Sequence, residues 1–375
     1  MNQNIREPLY LKIYKDFLDR IDRGDFKNND KIPTEVELSE SYNVSRITTR
    51  KALNMLSEQG IVNRVPGLGS FISEDGVEKT INQKIDQHSK TKRIGFIISG
   101  IQDSFGHTLL STLEDLLYAK WFSLLLGISD QNAEKESRLL KSFIEQKVDG
   151  IIISPVDDEN FSTEILSLVM KKFPIVLVDR YLRDLGNCSN VVSDNEKATF
   201  TAVNYLFEHN HKNIAVFSRK INSTSTLTER YNGVINAYAE RGLPVNKNYW
   251  YTSFKKVEYY SKNLFVHNIE LIKEFLTQNR EITAVVTMEY LFTQYLISAI
   301  SEMGLSIPDD ISLVGFDGPG YSVENTPALT YVMQDEAKIA QEVFSLLMKA
   351  MKGVEKSEKI LVPCTFIEGT SVRSI

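Results

Sequence analysis

One stretch of the chain carries polar side chains that are spaced for molecular recognition. Arg46, Arg50 and Asn54 recur at every fourth position, and on an α-helix this spacing places them along one face. Guanidinium and amide groups on such a face can donate hydrogen bonds to phosphate oxygens or to base edges. Solvated surface helices carry the same pattern, so these residues by themselves leave both interpretations open.

A second set of polar residues follows apolar runs that are typical of strands. Asp179 and Arg180 come directly after one such run, and Asp317 comes after another. Paired guanidinium and carboxylate groups can hold the hydroxyl groups of a sugar, because a hydroxyl both donates and accepts hydrogen bonds. An aromatic ring such as Phe105 can cover the apolar side of that ligand. Ion pairs, helix caps and, for Phe105, ordinary core packing are the alternative interpretations.

Residues for catalysis or metal binding are sparse. Cys188 and Cys364 are the only cysteines and lie far apart, which excludes a disulfide framework and a repeated Cys-x-x-Cys zinc site. His209 and His211 would not face each other on a helix. There is no Gly-x-Ser-x-Gly elbow, and no Gly-x-Gly-x-x-Gly pattern follows the first strand after residue 92. We therefore expect no catalytic residue, no cofactor and no metal, and a function in binding.

Helices and a hairpin are predicted around the Arg46 face. Thr34 and Glu37 have the spacing of a capping box, and Ser45 is a typical N-cap residue, so each begins a helix. The predicted helices span residues 8–23, 35–41 and 46–59, and the predicted strands span residues 61–65 and 70–72. This order of elements is a helix-turn-helix followed by a wing with a glycine turn.

After residue 92, apolar strands alternate with amphipathic helices at the spacing of βαβ units. The predicted strands are residues 93–99, 122–127, 149–154, 174–179, 213–218, 283–287 and 311–316. The fold class is therefore α/β, with an N-terminal winged helix-turn-helix and two successive doubly wound parallel sheets. We assign residues 1–75 to the head, 76–91 to a linker and 92–375 to the larger domain.

Composition is consistent with a modular globular protein. The 375 residues exceed one ordinary core, and 42% of them are hydrophobic. The net charge of -6 does not by itself indicate a nucleic-acid binder, yet residues 43–72 carry four basic residues and one acidic residue. The chain has no apolar run of about 18 residues and no apolar leader. We expect a cytoplasmic protein without a membrane partner.

Two motifs in the head identify a family pattern. They read Lys31-Ile32-Pro33-Thr34-Glu35-x-Glu37-Leu38 and Tyr42-Asn43-Val44-Ser45-Arg46-x-Thr48-x-Arg50-x-Ala52-Leu53. With the glycine turn they resemble the GntR-family winged helix-turn-helix over residues 8–73. The resemblance implies a dimer on double-stranded palindromic operator DNA. Val36 stands where some relatives carry an arginine, which removes the basis for one base contact. The implied DNA-binding residues are Tyr10, Glu35, Ser45, Arg46, Thr48, Thr49, Arg50, Gly67, Leu68 and Gly69.

Motifs in the larger domain resemble a second family over residues 92–375. They are Val192-Ser193-Asp194-Asn195, His211-x-Asn213-Ile214-Ala215, Arg230-Tyr231-x-Gly233, Ile307-Pro308-Asp309-Asp310-Ile311 and Gly315-Phe316-Asp317. This pattern is similar to the LacI-type sensor and to periplasmic sugar-binding proteins. A GntR-like head joined to such a domain resembles the arabinose repressor group.

The second resemblance implies two subdomains, three crossovers and a ligand cleft at the carboxyl ends of the strands. We place subdomain 1 at residues 92–187 and 322–354, and subdomain 2 at residues 188–321 and 355–375. Met288 and Glu289 stand where many sugar-sensing relatives carry Asn-Asp, so the ligand or its contacts can differ. The implied effector-binding residues are Asp103, Phe105, Asp157, Asp179, Arg180, Arg230, Glu289, Asp317 and Gln334.

These observations together predict a homodimeric, sugar-responsive transcriptional repressor. A small carbohydrate, with a pentose such as arabinose favoured, would close the cleft and release the dimer from its operator. The same modules would also serve an activator or a corepressor-dependent regulator of a different small ligand. The sequence does not determine whether the ligand weakens or strengthens DNA binding.

Overall fold

The computed structural model describes residues 8–80, 92–101, 104–156, 162–182, 185–220, 224–254, 262–319, 328–354 and 356–375. The chain divides into two compact units, Met1–Thr91 and Lys92–Ile375. No helix in these described ranges is long and apolar enough to cross a membrane.

The first unit contains three helices and a small antiparallel sheet with strand order β1-β3-β2. Its elements are α1 (Leu9–Asp22), β1 (Lys31–Ile32), α2 (Glu35–Ser41), α3 (Arg46–Glu58), β2 (Val62–Val65) and β3 (Gly69–Ile72). The predicted helix-turn-helix and wing are confirmed. Strand β1 was not predicted, because two residues are too few to show an alternating pattern.

Local hydrogen bonds begin the helices where the sequence predicts. The Glu37 backbone N–H donates to Thr34 Oγ1 at 3.3 Å, and the Thr34 N–H donates to Glu37 Oε2 at 2.7 Å. Ser45 Oγ accepts from the Thr48 N–H at 3.3 Å. Both pairs satisfy amides that have no partner within the helix.

The predicted linker begins too early. Residues 76–80 are helical, and the Thr80 side chain is buried. The Val77 N–H donates to Asn28 Oδ1 at 3.0 Å. A Cβ on Gly76 would lie 2.6 Å from the Ile61 carbonyl oxygen, so this segment packs tightly on the hairpin. Residues 76–80 therefore belong to the head, and the remainder of the predicted linker lies outside the described residues.

The second unit contains two six-stranded sheets flanked by helices. Its helices are α4 (His107–Tyr118), α5 (Ala133–Glu145), α6 (Thr163–Met170), α7 (Asn195–Glu208), α8 (Ser225–Glu240), α9 (Lys262–Gln278), α10 (Tyr290–Glu302) and α11 (Glu336–Met351). Its strands are β4 (Lys92–Ile98), β5 (Phe122–Ile128), β6 (Gly150–Ile153), β7 (Ile175–Val178), β8 (Ser189–Ser193), β9 (Ile214–Phe217), β10 (Trp250–Tyr251), β11 (Ala284–Thr287), β12 (Ser312–Phe316), β13 (Thr330–Met333), β14 (Lys359–Val362) and β15 (Thr365–Ile367).

The first sheet has the order β14-β8-β7-β6-β4-β5 and is wholly parallel. The second has the order β10-β9-β11-β12-β13-β15 and is parallel except at β15. All seven predicted strands are confirmed. Strands β6, β7, β9, β11 and β12 are buried along their whole length, which explains their continuous apolar sequences.

The chain crosses between the two sheets three times, as the resemblance implies. The crossings lie between β8 and α7, between β13 and α11, and between β14 and β15. The predicted boundaries at residues 188, 322 and 355 are wrong, because β8 and β14 pair in the first sheet and β13 pairs in the second. The polar loops before these strands look like subdomain boundaries in the sequence. Hydrophobic periodicity predicts that a segment is a strand, but it does not show which strand lies beside it.

Helices α7 and α8 pack closely on one face of the second sheet. A Cβ on Gly233 of α8 would lie 2.4 Å from the Glu196 carbonyl oxygen and 2.9 Å from the Phe200 nitrogen. Both neighbours are backbone atoms of α7, which cannot rotate away. Glycine at this position therefore sets the distance between the two helices.

We expect Gly233→Ala to lower the free energy of unfolding by about 2 kcal/mol, since overpacking outweighs the better helix propensity of alanine. Denaturant titration of the full chain measures this change. The matched control is Gly186→Ala, where a Cβ meets no atom within 4 Å. Equal stability of the two variants would contradict the close-packing interpretation.

Candidate functional site

Two aspartates occupy equivalent positions at the carboxyl ends of the two sheets. Asp179 follows β7 with φ 65°, and Asp317 follows β12 with φ 63°. The Asp179 N–H donates to the Val191 carbonyl at 3.1 Å, and the Asp317 N–H donates to the Val332 carbonyl at 2.8 Å. Each aspartate has a left-handed backbone conformation and is hydrogen-bonded to the neighbouring strand, and this conformation turns its side chain out of the sheet. The sequence prediction placed both residues in the cleft.

The carboxylate of Asp317 is buried in a polar setting. Gln334 Nε2 donates to its two oxygens at 3.1 and 3.0 Å, and Gln334 Oε1 accepts from Ser193 Oγ at 2.7 Å. Burial raises the pKa of Asp317 to about 7, although Arg230 and Gln334 act in the opposite direction. Gln334 therefore connects Asp317 in the second sheet to Ser193 at the end of β8 in the first sheet.

Arg230 of α8 is the most enclosed cation of this group, with 4% of its surface exposed. Its Nε donates to Asn195 Oδ1 at 3.0 Å, and its Nη1 donates to the Met288 carbonyl oxygen. The guanidinium carbon lies 3.3 Å from the centroid of the Phe316 ring. Burial lowers the pKa of Arg230, and the charges of Asp317, Glu289 and Asp179 oppose that shift.

Arg180 occupies the first-sheet side of the cleft. Its Nη1 donates to Gln131 Oε1 at 2.9 Å and to the Pro155 carbonyl at 3.4 Å, and its Nε lies 3.4 Å from Asp179 Oδ2. Ser154 Oγ donates to that same carboxylate at 3.2 Å. These contacts fix the side chains of Asp179 and Arg180 as one polar group.

Glu289 is the N-cap residue of α10, but its side chain forms no capping bond. Arg219 instead donates to it through Nε at 2.9 Å and through Nη2 at 2.8 Å. Burial raises the pKa of Glu289, and Arg219 with the other cleft arginines outweighs that effect, so the pKa lies below its usual value. Glu289 is thus held ionised by a fork-like arginine contact.

A polar bridge centred on Glu229 connects the two halves of the second unit. Glu229 Oε1 accepts from Tyr181 Oη at 2.9 Å and from Lys359 Nζ at 3.0 Å, and Glu229 Oε2 accepts from Asn195 Nδ2 at 3.2 Å. Tyr181 and Lys359 extend from the first sheet, whereas Glu229 lies on α8. Since Asn195 also contacts Arg230, the bridge is connected to the buried guanidinium.

Glu136 is a buried carboxyl that supports the loop after β6. It is 1% exposed, and its Oε2 accepts from the Val156 N–H at 2.8 Å. Burial raises the pKa of Glu136 to about 7, while the Val156 bond and the Arg180 charge act in the opposite direction. The side chain therefore holds the backbone of the loop after β6 near Arg180.

The structure brings together Asp179, Arg180, Arg230, Glu289, Asp317 and Gln334 from the predicted effector-binding set. Asp103 and Asp157 lie outside the described residues. Phe105 is partly buried and packs against the first-sheet core, so its stacking role stays a prediction. The sequence analysis assigned no binding role to several polar partners. Ser154 ends a predicted strand, Arg219 follows one, and Ser193 and Asn195 lie in a motif quoted above, so these four carry a sequence signal. The missed residues are Gln131, Glu136, Ser154, Ser193, Asn195, Arg219 and Glu229.

In the first unit, the α3 face forms ion pairs with α2 and the wing. Glu35 Oε2 accepts from Arg50 Nε at 3.0 Å, and Glu35 Oε1 accepts from Arg64 Nη2. Arg64 also donates to Asn54 Oδ1. Partial burial raises the pKa of Glu35, but the two arginine bonds outweigh it and keep the pKa below its usual value. Glu35 thus holds two cations of the exposed face.

Thr49 does not fit its predicted role. Its side chain is fully buried, and Oγ1 donates to the Arg46 carbonyl at 3.0 Å and to the Glu35 carbonyl at 3.2 Å. The predicted DNA contact of Thr49 is therefore wrong for its side chain, which instead joins α3 to the start of α2. Tyr10 is half-buried, with Lys51 Nζ 3.9 Å from its ring centroid.

The remaining predicted DNA-binding residues lie at the surface of the head. Arg46 and Arg50 are exposed on α3, and Ser45 and Thr48 lie at its beginning, with their hydroxyl oxygens 2.8 Å apart. At the wing tip, Leu68 is 65% exposed between two glycines of positive φ, Gly67 at 78° and Gly69 at 120°. The contacts of these residues with DNA stay predictions.

Comparisons with known proteins agree with both units. The model for bacterial regulatory proteins of the gntR family matches residues 9–72, and the model for the periplasmic binding protein-like domain matches residues 203–372. An arabinose metabolism transcriptional repressor of Geobacillus stearothermophilus is 27% identical over 98% of both chains. A repressor of that name from Halalkalibacterium halodurans is 25% identical, covering 87% of this chain and 84% of its own.

A solved structure described as a putative ribose operon repressor from Burkholderia thailandensis has a TM-score of 0.63 at 26% identity. The match covers 74% of this chain and 99% of that one. The fold and both domain matches define a class of transcriptional regulators with a DNA-binding head and a ligand-binding domain. The chain carries a gntR-family domain over residues 9–72 and a periplasmic binding protein-like domain over residues 203–372, and it is similar to transcriptional repressors of arabinose metabolism.

We expect Glu136→Gln to flatten the pH dependence of stability. The pKa of Glu136 is raised to about 7 from 4.5, so the folded chain retains this proton longer than the unfolded chain. The stability that this protonated carboxyl contributes is fully present below about pH 4.5 and is lost as pH rises to about 7, by an amount on the order of 3 kcal/mol. Unfolding titrations between pH 5 and pH 8 measure this slope.

The control for this test is Glu134→Gln, which changes an exposed carboxyl on the same helical turn. That variant should follow the pH profile of the wild type. Parallel profiles for wild type and Glu136→Gln would show that Glu136 is not the titrating group.

Proposed function

We propose that the chain is a homodimeric repressor of sugar-metabolism genes that leaves its palindromic operator when a pentose closes the cleft. L-Arabinose is the favoured ligand. The observation that carries this proposal is the set of adjacent guanidinium and carboxyl groups at the carboxyl ends of the two sheets. In the described cleft, three arginines accompany three carboxylates, namely Arg180, Arg219 and Arg230 with Asp179, Glu289 and Asp317.

This set suits a neutral ligand with many hydroxyl groups. A phosphate or carboxylate on the ligand would add an uncompensated charge at a site where Arg219 is already paired with Glu289. Hydroxyl groups can accept from Arg180 or Arg230 and donate to Asp179 or Asp317. A sugar epimer that leaves one of these buried groups unsatisfied costs about 1–3 kcal/mol of binding free energy.

Contacts between the halves support a link from ligand to operator. Thr226 Oγ1 donates to the Asp179 carbonyl at 2.8 Å, and the Tyr181 N–H donates to Ser225 Oγ at 3.0 Å. A ligand that joins the cleft residues of both sheets would favour one relative orientation of the halves. A differential affinity of about 100-fold for one state changes the equilibrium by about 2.7 kcal/mol. The arabinose repressor named among the relatives shares both modules, which supports the choice of pentose and of repression.

An apolar edge of the first sheet supports the dimer. Strand β5 is the edge strand, and Leu126 on it is 42% exposed. Tyr118 at the end of α4 is 71% exposed and the nearby Trp121 is 69% exposed. Exposed apolar residues along an edge strand are typical of an association surface. We assign this edge to the dimer interface, where it would contact the same edge of a second copy of the chain across a twofold axis.

We expect Leu126→Glu to weaken the dimer by at least about tenfold in its dissociation constant, because two carboxylates would be placed near the twofold axis. Sedimentation velocity over a concentration series measures this change. Leu166→Glu is the matched control, since Leu166 is also 42% exposed but lies on α6. A dimer that tolerates Leu126→Glu, or that both variants disrupt equally, would refute this interface.

The whole proposal is tested with an operator recovered by selection from random duplexes. L-Arabinose at saturation should weaken operator binding by about 100-fold, and the affinity should fall steeply with salt. Arg230→Gln should bind the operator normally but lose the response to sugar. Fluorescence anisotropy with labelled duplex measures each affinity.

The matched control is Arg241→Gln, which changes an exposed arginine at the end of the same helix. It should respond to sugar like the wild type. Tighter operator binding with sugar would indicate a corepressor, and an unchanged affinity with every pentose would contradict a pentose-responsive switch.

A further inference from the structure

Helix α3 carries a large apolar side chain at an exposed position. Ile47 is 78% exposed, which is the highest exposure among the large apolar residues of the described ranges. A single exposed apolar residue needs no explanation by itself. Its position on α3, however, places it among the residues that the head directs outward.

The buried stripe of α3 consists of Thr49, Ala52, Leu53 and Leu56. Ile47 lies on the opposite side of the helix, because a 3.6-residue period separates it from this stripe by about half a turn. It shares its face with Arg50 and Asn54, at the spacing i, i+3, i+7. Ile47 also lies in the first turn, the part of a recognition helix that reaches base edges.

Its immediate neighbours are suited to the DNA backbone or to polar base edges, and Ile47 is not. Arg46 and Arg50 are exposed cations near it on the same helix. Val36 on α2, 37% exposed, adds a second apolar side chain beside Glu35. In the major groove, only thymine presents a methyl group, whereas the other bases present polar atoms that an aliphatic side chain would leave desolvated.

We propose that Ile47 is a specificity-determining residue that reads the 5-methyl group of one thymine in each operator half-site. This inference rests on the proposed DNA-binding function of the head. The proposed contact depends on shape and apolar burial, and it lies next to arginines that suit phosphate oxygens or polar base edges. Removing that one methyl should weaken binding about fourfold per half-site, the factor expected for one buried methyl group.

The test uses the full chain and the selected operator, with each thymine replaced in turn by deoxyuridine. This replacement removes only the 5-methyl group and keeps the base pair. For the wild type, one symmetric pair of positions should lose about tenfold or more when both methyl groups are removed. Ile47→Ala should bind the unmodified operator more weakly and should show less than twofold sensitivity at those positions.

Leu68→Ala is the matched control, because Leu68 is also an exposed apolar residue of the head but lies on the wing. It should keep the wild-type sensitivity to deoxyuridine. Ile47→Val, with one carbon fewer, should give an intermediate sensitivity if Ile47→Ala binds too weakly to measure.

Two results would overturn the proposal: a wild type that is indifferent to deoxyuridine at every thymine, or an Ile47→Ala variant that keeps the full sensitivity. Failure of the underlying function is a different outcome. In that case no duplex is enriched by the wild type in the selection, and the deoxyuridine series cannot be started.

Discussion

A buried guanidinium requires compensating partners, and Arg230 imposes this requirement on the ligand-binding unit. An unpaired charge in such a setting costs several kcal/mol, and only 4% of Arg230 is exposed. Its partners come from separate elements, since Asn195 begins α7, Met288 follows β11 and Asp317 follows β12. The carboxyl ends of the strands must therefore stay in register around one side chain. That requirement fixes the positions of these polar groups relative to one another.

Short-range signals made the head predictable. Thr34 with Glu37 and Ser45 with Thr48 are contacts between residues three apart, so their positions follow from the sequence alone. The buried side chain of Thr49 was not predictable in the same way. Its hydroxyl contacts the Glu35 carbonyl, fourteen residues earlier, and this contact depends on how α2 and α3 cross.

The larger domain was predictable in its elements and less so in its connections. Continuous apolar runs predict β6, β7, β9, β11 and β12, since each is buried on both faces. Sheet membership of β8, β13 and β14 depends on which strand lies beside them, and periodicity carries no such information. The polar partners Glu229 and Glu136 were missed for the same reason, because both lie on helices and acquire their contacts only through tertiary packing.

The ion pairs of Glu35 have a consequence for any phosphate that approaches the head. Arg50 and Arg64 are already engaged by one carboxylate. A phosphate that accepts hydrogen bonds from either arginine would therefore compete with a contact inside the head, and its net gain would be smaller than that of a phosphate bound by an unpaired arginine.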